Sequence, residues 1–264
     1  MPEHGGQIRE AITRAGVQTV VGDFNDANLA DFVGSLGLFS YIWVDMEHSA
    51  VPWPELQNIS RAADLWGMKS VVRVRANDPS LIALTLGEGV DGIVVPQVNT
   101  RADAERVVQA AKFEPIGRRG ASYGRKSYNR PRWHSEANDQ TFIVIMVESI
   151  QGVEALPEIL AVPDIDVVFV SHGDLAQSMG LLRNRHHEPA FIEAFDHAIR
   201  EIVAAGRTAG AAVAEQDIPK YVDMGMGWIK LPEWRTWVAK GGASLAAQVR
   251  DSAERRALSS IQDA

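Results

Sequence analysis

The sequence predicts a single α/β domain, a closed (β/α)₈ barrel of the TIM type, and three observations support this prediction. Eight short apolar runs rich in β-branched residues are spread along the 264 residues, as parallel strands covered on both faces require. Amphipathic helical segments separate these runs. The length of residues 1–264 suits one barrel domain. A doubly wound open sheet is the alternative, but the even spacing and the count of eight favour the barrel.

The predicted elements follow one another in a regular order. Strands are predicted over residues 17–24, 41–48, 70–76, 91–98, 142–149, 166–172, 207–214 and 227–233. A helix is predicted over 54–67, because Pro54 stands near its start and Gly67 near its end, where proline and glycine favour helix boundaries. Further helices are predicted over 101–113, 190–206 and 244–264.

Two connections are longer than the others. One spans residues 114–141 and is rich in Arg, Gly, Ser, Tyr and Asn, and the other spans residues 181–189. Long polar loops in barrel enzymes usually cover the active site or contact a neighbouring subunit. We expect one of these two roles for each connection, and the Arg and Tyr side chains of residues 125–134 are candidates for substrate recognition.

Composition excludes several classes of function. The net charge of −8 argues against a nucleic-acid-binding surface, which requires a basic stripe. The chain has no cysteine, so disulfides and thiolate metal sites are impossible. No apolar stretch is long enough to span a bilayer, and the first residues show no apolar signal region. We therefore expect a cytoplasmic protein.

Acidic side chains stand where two neighbouring predicted strands end. Glu148 ends the fifth strand and Asp174 follows the sixth, at the barrel end where such enzymes hold their chemistry. Two carboxylates without a basic partner repel each other unless a cation lies between them. Oxygen ligands with open positions suit Mg²⁺ or Mn²⁺. Taken alone, Asp174 is equally well interpreted as a helix cap.

Basic and titratable groups complete the predicted site. His48 lies three residues after Asp45, so the two are a candidate imidazole–carboxylate pair for proton transfer. Arg73 offers a fork of donors for a carboxylate or for enolate charge. Lys230, in the eighth strand, is interpreted as structural rather than as a Schiff-base lysine, because its Trp-rich surroundings offer no clear activating group.

Several stretches resemble the HpcH/HpaI aldolases, the metal-dependent class II pyruvate aldolases that act on 2-keto-3-deoxy sugar acids and 4-hydroxy-2-oxo acids. The resemblance extends over most of the chain from about residue 18 to 182, and the D-x-E-H element combined with R-x-x-x-N-D-P and R-R-G is specific. The matching stretches are "YIWVDMEHSAV", "VVRVRANDP", "GVDGIVVPQVNTRADAERVVQAAKFEPIGRRG", "VMVESIQGVEALPEILAVPDIDVVFV" and "GDLAQSMGL".

The resemblance implies a role for each matching residue. Glu148 and Asp174 are expected to bind a divalent cation, with Mg²⁺ or Mn²⁺ favoured and Co²⁺ or Zn²⁺ as alternatives. His48, paired with Asp45, is expected to be the acid–base system. Arg73 is expected to bind the keto oxygen of the substrate and to stabilise the enolate.

The resemblance also implies the surroundings of the site and its partners. Glu47 is expected to support the catalytic groups, and Ser171, His172 and Gly173 to contact substrate. The expected substrates are a small 2-keto acid and an aldehyde, with no nucleic acid and no membrane. The expected assembly is a hexamer, a trimer of dimers, whose pyruvate-type barrels exchange a C-terminal helix.

The chain departs from the family pattern at two informative places. Met146 stands where many relatives have a glutamine, and His172 lies where they usually have Gly-Pro. These changes leave other reactions open. The alternatives are a 2-keto acid decarboxylase, an acyl-CoA lyase of the same superfamily, and a barrel that binds a keto acid without catalysis.

Overall fold

The computed structural model of the protein describes residues 2–181 and 188–262. Eight parallel strands close into one barrel in sequence order, with β8 paired to β1, so the predicted (β/α)₈ architecture is confirmed. The strands are β1 (Gln18–Gly22), β2 (Tyr41–Asp45), β3 (Lys69–Arg73), β4 (Gly92–Val95), β5 (Phe142–Val147), β6 (Val167–Val170), β7 (Thr208–Ala212) and β8 (Trp228–Lys230).

Helices surround the barrel. Within the described ranges they are α1 (Pro2–Arg14), α2 (Ala27–Ser35), α3 (Trp53–Leu65), α4 (Pro79–Gly87), α5 (Arg101–Ala111), α6 (Trp133–Gln140), α7 (Ile150–Glu154), α8 (Leu156–Leu160), α9 (His172–Ser178), α10 (Pro189–Ala204), α11 (Ile218–Asp223) and α12 (Trp234–Gln262). None of these helices is both long and apolar enough to cross a membrane.

Helix boundaries follow local chemistry. Asp26 and Asp78 accept hydrogen bonds from backbone N–H groups in the first turns of α2 and α4, and Thr100 does the same for α5, as N-caps do. Gly67 follows α3 with a φ of 65°, a left-handed conformation that glycine adopts at little cost. The helix predicted over 54–67 is therefore confirmed within two residues.

Side chains on the strands alternate between the barrel interior and the helix layer. Val20, Trp43 and Trp228 belong to the interior cluster, whereas Val21 and Ile42 pack into the outer core beneath the helices. The ring centroids of Trp43 and Trp228 are 5.9 Å apart. Because the interior is filled with apolar side chains, polar groups concentrate at the strand ends.

The strands are shorter than the predicted runs, which changes where some residues lie. β2 ends at Asp45, so Glu47 and His48 are in the turn that follows it rather than in a strand. Likewise β8 ends at Lys230, and Glu233 lies beyond it. The apolar periodicity continues into these turns because the first residues after a barrel strand still face either the interior or the helices.

The connection 114–141 lies away from the predicted active-site face of its own barrel. It contains α6, and Lys126 forms ion pairs with Asp64 and Asp91, at 2.8 and 2.9 Å. Asp91 directly precedes β4, so these contacts hold the connection at the amino-terminal ends of the strands. Of the two roles expected for this connection, covering the site of its own barrel does not fit this position, because the connection leads from a helix into a strand; contact with a neighbouring subunit stays a prediction. Residues 182–187, most of the second long connection, lie outside the described residues.

Candidate active site

A cavity of about 320 Å³ opens at the carboxyl ends of the strands, where the sequence predicted the site. Its walls come from segments that follow β2, β4, β5 and β6. The residues that line it are Glu47, His48, Gln97, Asn99, Glu148, Ser149, Asp174, Gln177 and Ser178. Another cavity, of about 470 Å³, lies at the opposite end of the barrel near Arg9, Gln18 and Lys69, away from the predicted catalytic groups.

Arg73 holds two carboxylates beside this cavity. Its Nε donates to Asp45 Oδ1 at 2.9 Å and its Nη2 to Asp45 Oδ2 at 2.6 Å, a bidentate pair of the strong type. Its Nη1 is 2.9 Å from Glu47 Oε2. A guanidinium carries five N–H donors, so two remain for a substrate oxygen. Position and charge therefore agree with the predicted role of Arg73.

The charges in this group shift one another's pKa values. Burial alone raises the pKa of Asp45, but the hydrogen bonds and charge of Arg73 outweigh it and hold that pKa below its usual value. Burial raises the pKa of Glu47 despite the opposing charge of Arg73. Burial also opposes the charged form of Arg73, yet Asp45 and Glu47 raise its pKa. Arg73 is consequently a fixed positive charge at every working pH.

The imidazole of His48 is not paired with Asp45 as the sequence predicted. Asp45 Oδ1 accepts from the backbone N–H groups of Glu47 and His48, at 2.9 and 3.3 Å, while Arg73 occupies both of its oxygens. This aspartate-closed turn directs His48 outward, with a side chain that is 64% exposed. The carboxylate near its Nε2 is Glu47 Oε2, at 3.5 Å. That His48 transfers protons remains a prediction.

Glu148 is a buried carboxylate at the end of β5. It is 8% exposed, and its Oε1 accepts a hydrogen bond from the backbone N–H of Gln97 at 2.6 Å. Burial raises its pKa to about 7, the Gln97 bond opposes this, and the charges of Asp174 and Glu47 add to it. Its Oε2 has no hydrogen-bond partner within residues 2–181 and 188–262. With a pKa of about 7 this carboxylate is only partly ionised at neutral pH, and additional positive charge in the cavity would favour its ionised form.

Asp174 faces the same cavity from α9, and the residues before it are distributed differently. Ser171 Oγ donates to Asp174 Oδ2 at 2.7 Å, which orients this carboxylate. His172 turns away, because its ring packs edge-on against Phe191 with centroids 4.6 Å apart. It lines a second cavity rather than the one at Glu148. The predicted substrate contact of His172 is thus not with the same cavity as Glu148 and Asp174.

The donor set fits a hard divalent cation with few protein ligands. Glu47, Glu148 and Asp174 all line the cavity. Burial and the negative charges of the other two carboxylates raise the pKa of Glu148, so a bound cation would stabilise its ionised form. In the described part of the chain no group of three or more His, Asp or Glu side chains is placed to hold a metal ion by itself. Mg²⁺ and Mn²⁺ accept one or two carboxylates and take remaining ligands from water or substrate. Glu148 and Asp174 remain the predicted ligands of the divalent cation.

The raised pKa of Glu148 leads to a pH dependence of cation binding. Protons and the cation compete for this carboxylate, so we expect Mn²⁺ affinity to fall by up to about tenfold per unit as pH drops below 7 and to be level above it. Calorimetric titrations with MnCl₂ at pH 5.5, 6.5 and 8.0 measure this. An affinity that is the same at all three values contradicts the assignment of Glu148.

Sequence reasoning missed the contribution of the segment after β4. Gln97 has a φ of 56° and uses its backbone N–H rather than its side chain, while Asn99 accepts a hydrogen bond from Ser149. The sequence signal for this segment was the pair of polar residues, Gln97 and Asn99, at the end of the fourth apolar run. Sequence reasoning likewise missed that Lys230 is paired with Asp23, at 2.8 Å.

Comparisons with known proteins agree with this geometry. Residues 24–226 match the family model described as HpcH/HpaI aldolase/citrate lyase. The chain is 31% identical to the hydroxypyruvate/pyruvate aldolase of Deinococcus radiodurans over 224 residues, 83% of this chain and 80% of that protein. It is 30% identical to the 4-hydroxy-2-oxo-heptane-1,7-dioate aldolase of Klebsiella pneumoniae over 220 residues, 81% of this chain and 83% of the relative.

The fold agrees as well. A crystal structure of an HpcH/HpaI aldolase/citrate lyase family protein from Burkholderia cenocepacia J2315 superposes with a TM-score of 0.84 at 24% identity, covering 92% of this chain and 99% of that one. The family match spans most of the chain, and the named relatives are lyases. The chain therefore belongs to the HpcH/HpaI aldolase/citrate lyase family and is an enzyme of the lyase class.

Proposed function

We propose that this enzyme is a divalent-metal-dependent aldolase that cleaves or forms 4-hydroxy-2-keto acids through a pyruvate-type enolate. One observation carries the proposal: Glu47, whose Oε2 lies 2.9 Å from Arg73 Nη1, lines one cavity at the carboxyl end of the barrel together with Glu148 and Asp174. The relatives named above are aldolases of keto acids, which supports this substrate class.

Each residue has a physical task in this reaction. A cation bound by Glu148 and Asp174 supplies Lewis-acid stabilisation of enolate charge. Arg73 directs its two remaining N–H donors at the keto oxygen, where negative charge grows as the carbon–carbon bond breaks. Asp45 acts through Arg73, because the bidentate pair fixes the plane of the guanidinium. The same arrangement works in reverse for addition to an aldehyde.

His48 is the proposed acid–base group for the 4-hydroxyl of the substrate. Its imidazole lines the cavity and is exposed enough to exchange protons with solvent. Glu47 Oε2 lies 3.5 Å from Nε2, so Glu47 rather than Asp45 is the carboxylate that can orient the imidazole. Glu47 in turn is held by Arg73, which links proton transfer to the group that binds the keto oxygen.

Solvent deuterium exchange into the methyl group of pyruvate tests the proposed function. We expect exchange, followed by proton NMR in D₂O, that requires Mg²⁺ or Mn²⁺ and slows by about a hundredfold or more in His48→Ala. His197→Ala is the matched control, because His197 also lies near a carboxylate, Glu201, at 3.2 Å on the outer helix α10. Absence of exchange in the metal-loaded wild type overturns the aldolase proposal.

The C-terminal helix supports a proposed assembly in which subunits exchange α12. Trp237 at its start stacks on Phe39, but Val238, Leu245 and Val249 are 63–69% exposed. Leu245 and Val249 lie seven and eleven residues after Val238, so all three share one helix face. An exposed apolar stripe of this kind marks a protein contact. We propose that a second subunit covers it within a hexamer built as a trimer of dimers.

Light scattering after size exclusion tests the assembly. We expect Leu245→Asp with Val249→Asp to reduce the molar mass by at least half relative to the wild type, because two charges enter an apolar contact. Ser244→Asp, which adds a charge next to the stripe, is the control and should keep the wild-type mass. A wild-type protein that elutes as a monomer contradicts the proposal.

A further inference from the structure

Lys230 and Asp23 form an ion pair inside the mouth of the barrel. Lys230 ends β8 and Asp23 follows β1, and their Nζ and Oδ2 atoms are 2.8 Å apart, with side chains only 13% and 16% exposed. Lys230 lies two residues after Trp228, an interior residue, so it points into the barrel at the catalytic end. An ion pair at this depth stabilises a fold little compared with apolar side chains of similar size, so a structural role explains it poorly.

The surrounding backbone is built to admit this lysine. At Gly22 an added Cβ would lie 2.8 Å from Lys230 Cε, so any larger residue would displace the lysine side chain. Asp23 has a φ of 67°, a left-handed conformation that is uncommon outside glycine and strains the backbone. The glycine at position 22 and the left-handed backbone of Asp23 both reduce local stability. Together they allow the Lys230 ammonium to reach the Asp23 carboxylate in the barrel mouth.

The pair is close to the proposed reaction centre. The Lys230 Nζ lies 5.5 Å from the centroid of the Trp43 ring, and the Arg73 guanidinium carbon lies 5.8 Å from the same centroid. Both basic groups therefore lie against the same indole ring, which places Lys230 in the neighbourhood of Arg73. Lys230 and His172 line a second cavity, of about 410 Å³, which begins at the same turn of α9 that carries Asp174.

Hydrogen-bonding capacity remains free on both partners. Lys230 has three N–H donors, and within the described residues Asp23 is its one hydrogen-bond partner. The Oδ1 of Asp23 has no partner in the same ranges. The pair is electrically neutral, and the cavity also contains the carboxylates of Asp217 and Glu233. A neutral ion pair with spare donors and acceptors suits a hydroxyl group, whereas the neighbouring carboxylates of Asp217 and Glu233 repel a substrate carboxylate.

We propose that Lys230 and Asp23 determine aldehyde specificity by binding a hydroxyl group of the aldehyde, so that hydroxyaldehydes are preferred over aldehydes with an apolar or carboxylate end. This inference rests on the aldolase function proposed above. The keto acid binds at Arg73 and the predicted metal ligands, and the aldehyde extends past Trp43 to Lys230. A substrate without the hydroxyl leaves the spare N–H donors of Lys230 and the Oδ1 of Asp23 without a substrate partner.

Rates of pyruvate addition to three aldehydes test the proposal. Glyceraldehyde carries the hydroxyls, propanal lacks them at the same chain length, and 4-oxobutanoate ends in a carboxylate. We expect the wild type to favour glyceraldehyde over propanal by at least about tenfold in kcat/KM, and Lys230→Met to reduce this ratio to about threefold or less. Lys240→Met is the matched control, because it breaks a surface pair with Glu215 of similar length, 2.7 Å.

The partner residue gives a second, opposite change. Asparagine tolerates the left-handed conformation of Asp23, and Asp23→Asn leaves Lys230 with a net positive charge. We expect this variant to gain at least about tenfold for 4-oxobutanoate relative to glyceraldehyde. If Lys230→Met does not fold because the Asp23 carboxylate is left unpaired, the double variant with Asp23→Asn removes that charge, and it should show the same loss of hydroxyl preference.

The outcomes separate this inference from the proposed function. A wild type that adds pyruvate to none of the three aldehydes overturns both. A wild type that turns them over, with a glyceraldehyde-to-propanal ratio that Lys230→Met leaves unchanged, overturns the role of the pair alone. A wild-type preference for 4-oxobutanoate also overturns it, because that result indicates a site for an anion.

Discussion

Replacing Glu148 by Gln is expected to lower kcat/KM for cleavage of a 4-hydroxy-2-keto acid by about a thousandfold. Gln keeps the shape of the side chain and an oxygen that can accept from the Gln97 N–H, but it removes the negative charge that binds a cation. Chelation of the wild type with EDTA should produce a loss of similar size. Release of the 2-keto acid, measured with and without added Mn²⁺, records both effects.

The same variant should make the metal-free protein more stable. A folded pKa of about 7 lies above the unfolded value of about 4.3, so the stability of the metal-free wild type falls as pH rises from about 4 to 7 and is level above that. Glu148→Gln removes this fall, which amounts to on the order of 3 kcal/mol. Thermal unfolding in EDTA at pH 8.0 should show a higher midpoint for the variant.

A surface glutamate provides the control for both measurements. Glu158 lies in the first turn of α8 and is exposed, so Glu158→Gln should change neither the rate nor the pH dependence of stability. Wild-type activity in Glu148→Gln, or full activity after metal removal, contradicts the assignment. Lower rather than higher stability of the metal-free variant indicates that Glu148 has a positively charged protein partner that stabilises its ionised form.

The barrel was predictable because its signal is repeated eight times. Most strands are short β-branched runs with a buried centre, and β7 (TAGAA) is the least typical of them, so an error of two residues at one end does not change the count. The closing contact between β1 and β8 follows from that count. The boundaries were less predictable, since the apolar pattern continues past β2 into the turn that contains Met46.

The position of a candidate site residue was predictable where a single side chain stands at the end of a strand. The positions of Arg73 and Glu148 each follow directly from the end of a strand, and the structure places both at the carboxyl end of the barrel. The imidazole of His48 was predicted to pair with Asp45 because His48 is the third residue after it. Hydrogen bonds from backbone N–H groups to Asp45 instead fold this turn so that the imidazole points outward. Sequence spacing does not encode which way a turn directs its side chains.

Two other features depend on information that single positions do not carry. Gln97 acts through a backbone N–H, which every residue except proline possesses, so its identity gives little signal. Lys230 and Asp23 are separated by 207 positions and meet only because the barrel closes. Each was visible as a polar residue at a strand end, but their pairing required the register between the first and last strands.

Replacing Arg73 by Lys is expected to lower kcat/KM by about a hundredfold to a thousandfold although the positive charge is kept. Three nitrogens of Arg73 contact three carboxylate oxygens within 2.9 Å, and a lysine ammonium does not reproduce this planar fork. We expect Arg73→Met to be worse and also unstable, because it leaves Asp45 and Glu47 buried without a counter-charge.

Arg75→Lys is the matched control for the charge-preserving change. Arg75 stands two residues further along the chain and is exposed, and its Nε donates only to the backbone oxygen of Met46, at 3.2 Å, so wild-type kinetics are expected. Thermal unfolding separates the two roles of Arg73: Lys should retain most of the stability that Met loses, since the carboxylates still face a cation, while both variants lose activity. If Arg73→Lys keeps at least a third of wild-type kcat/KM, a point charge is sufficient at this position, and the directed N–H donors are not what stabilises the enolate.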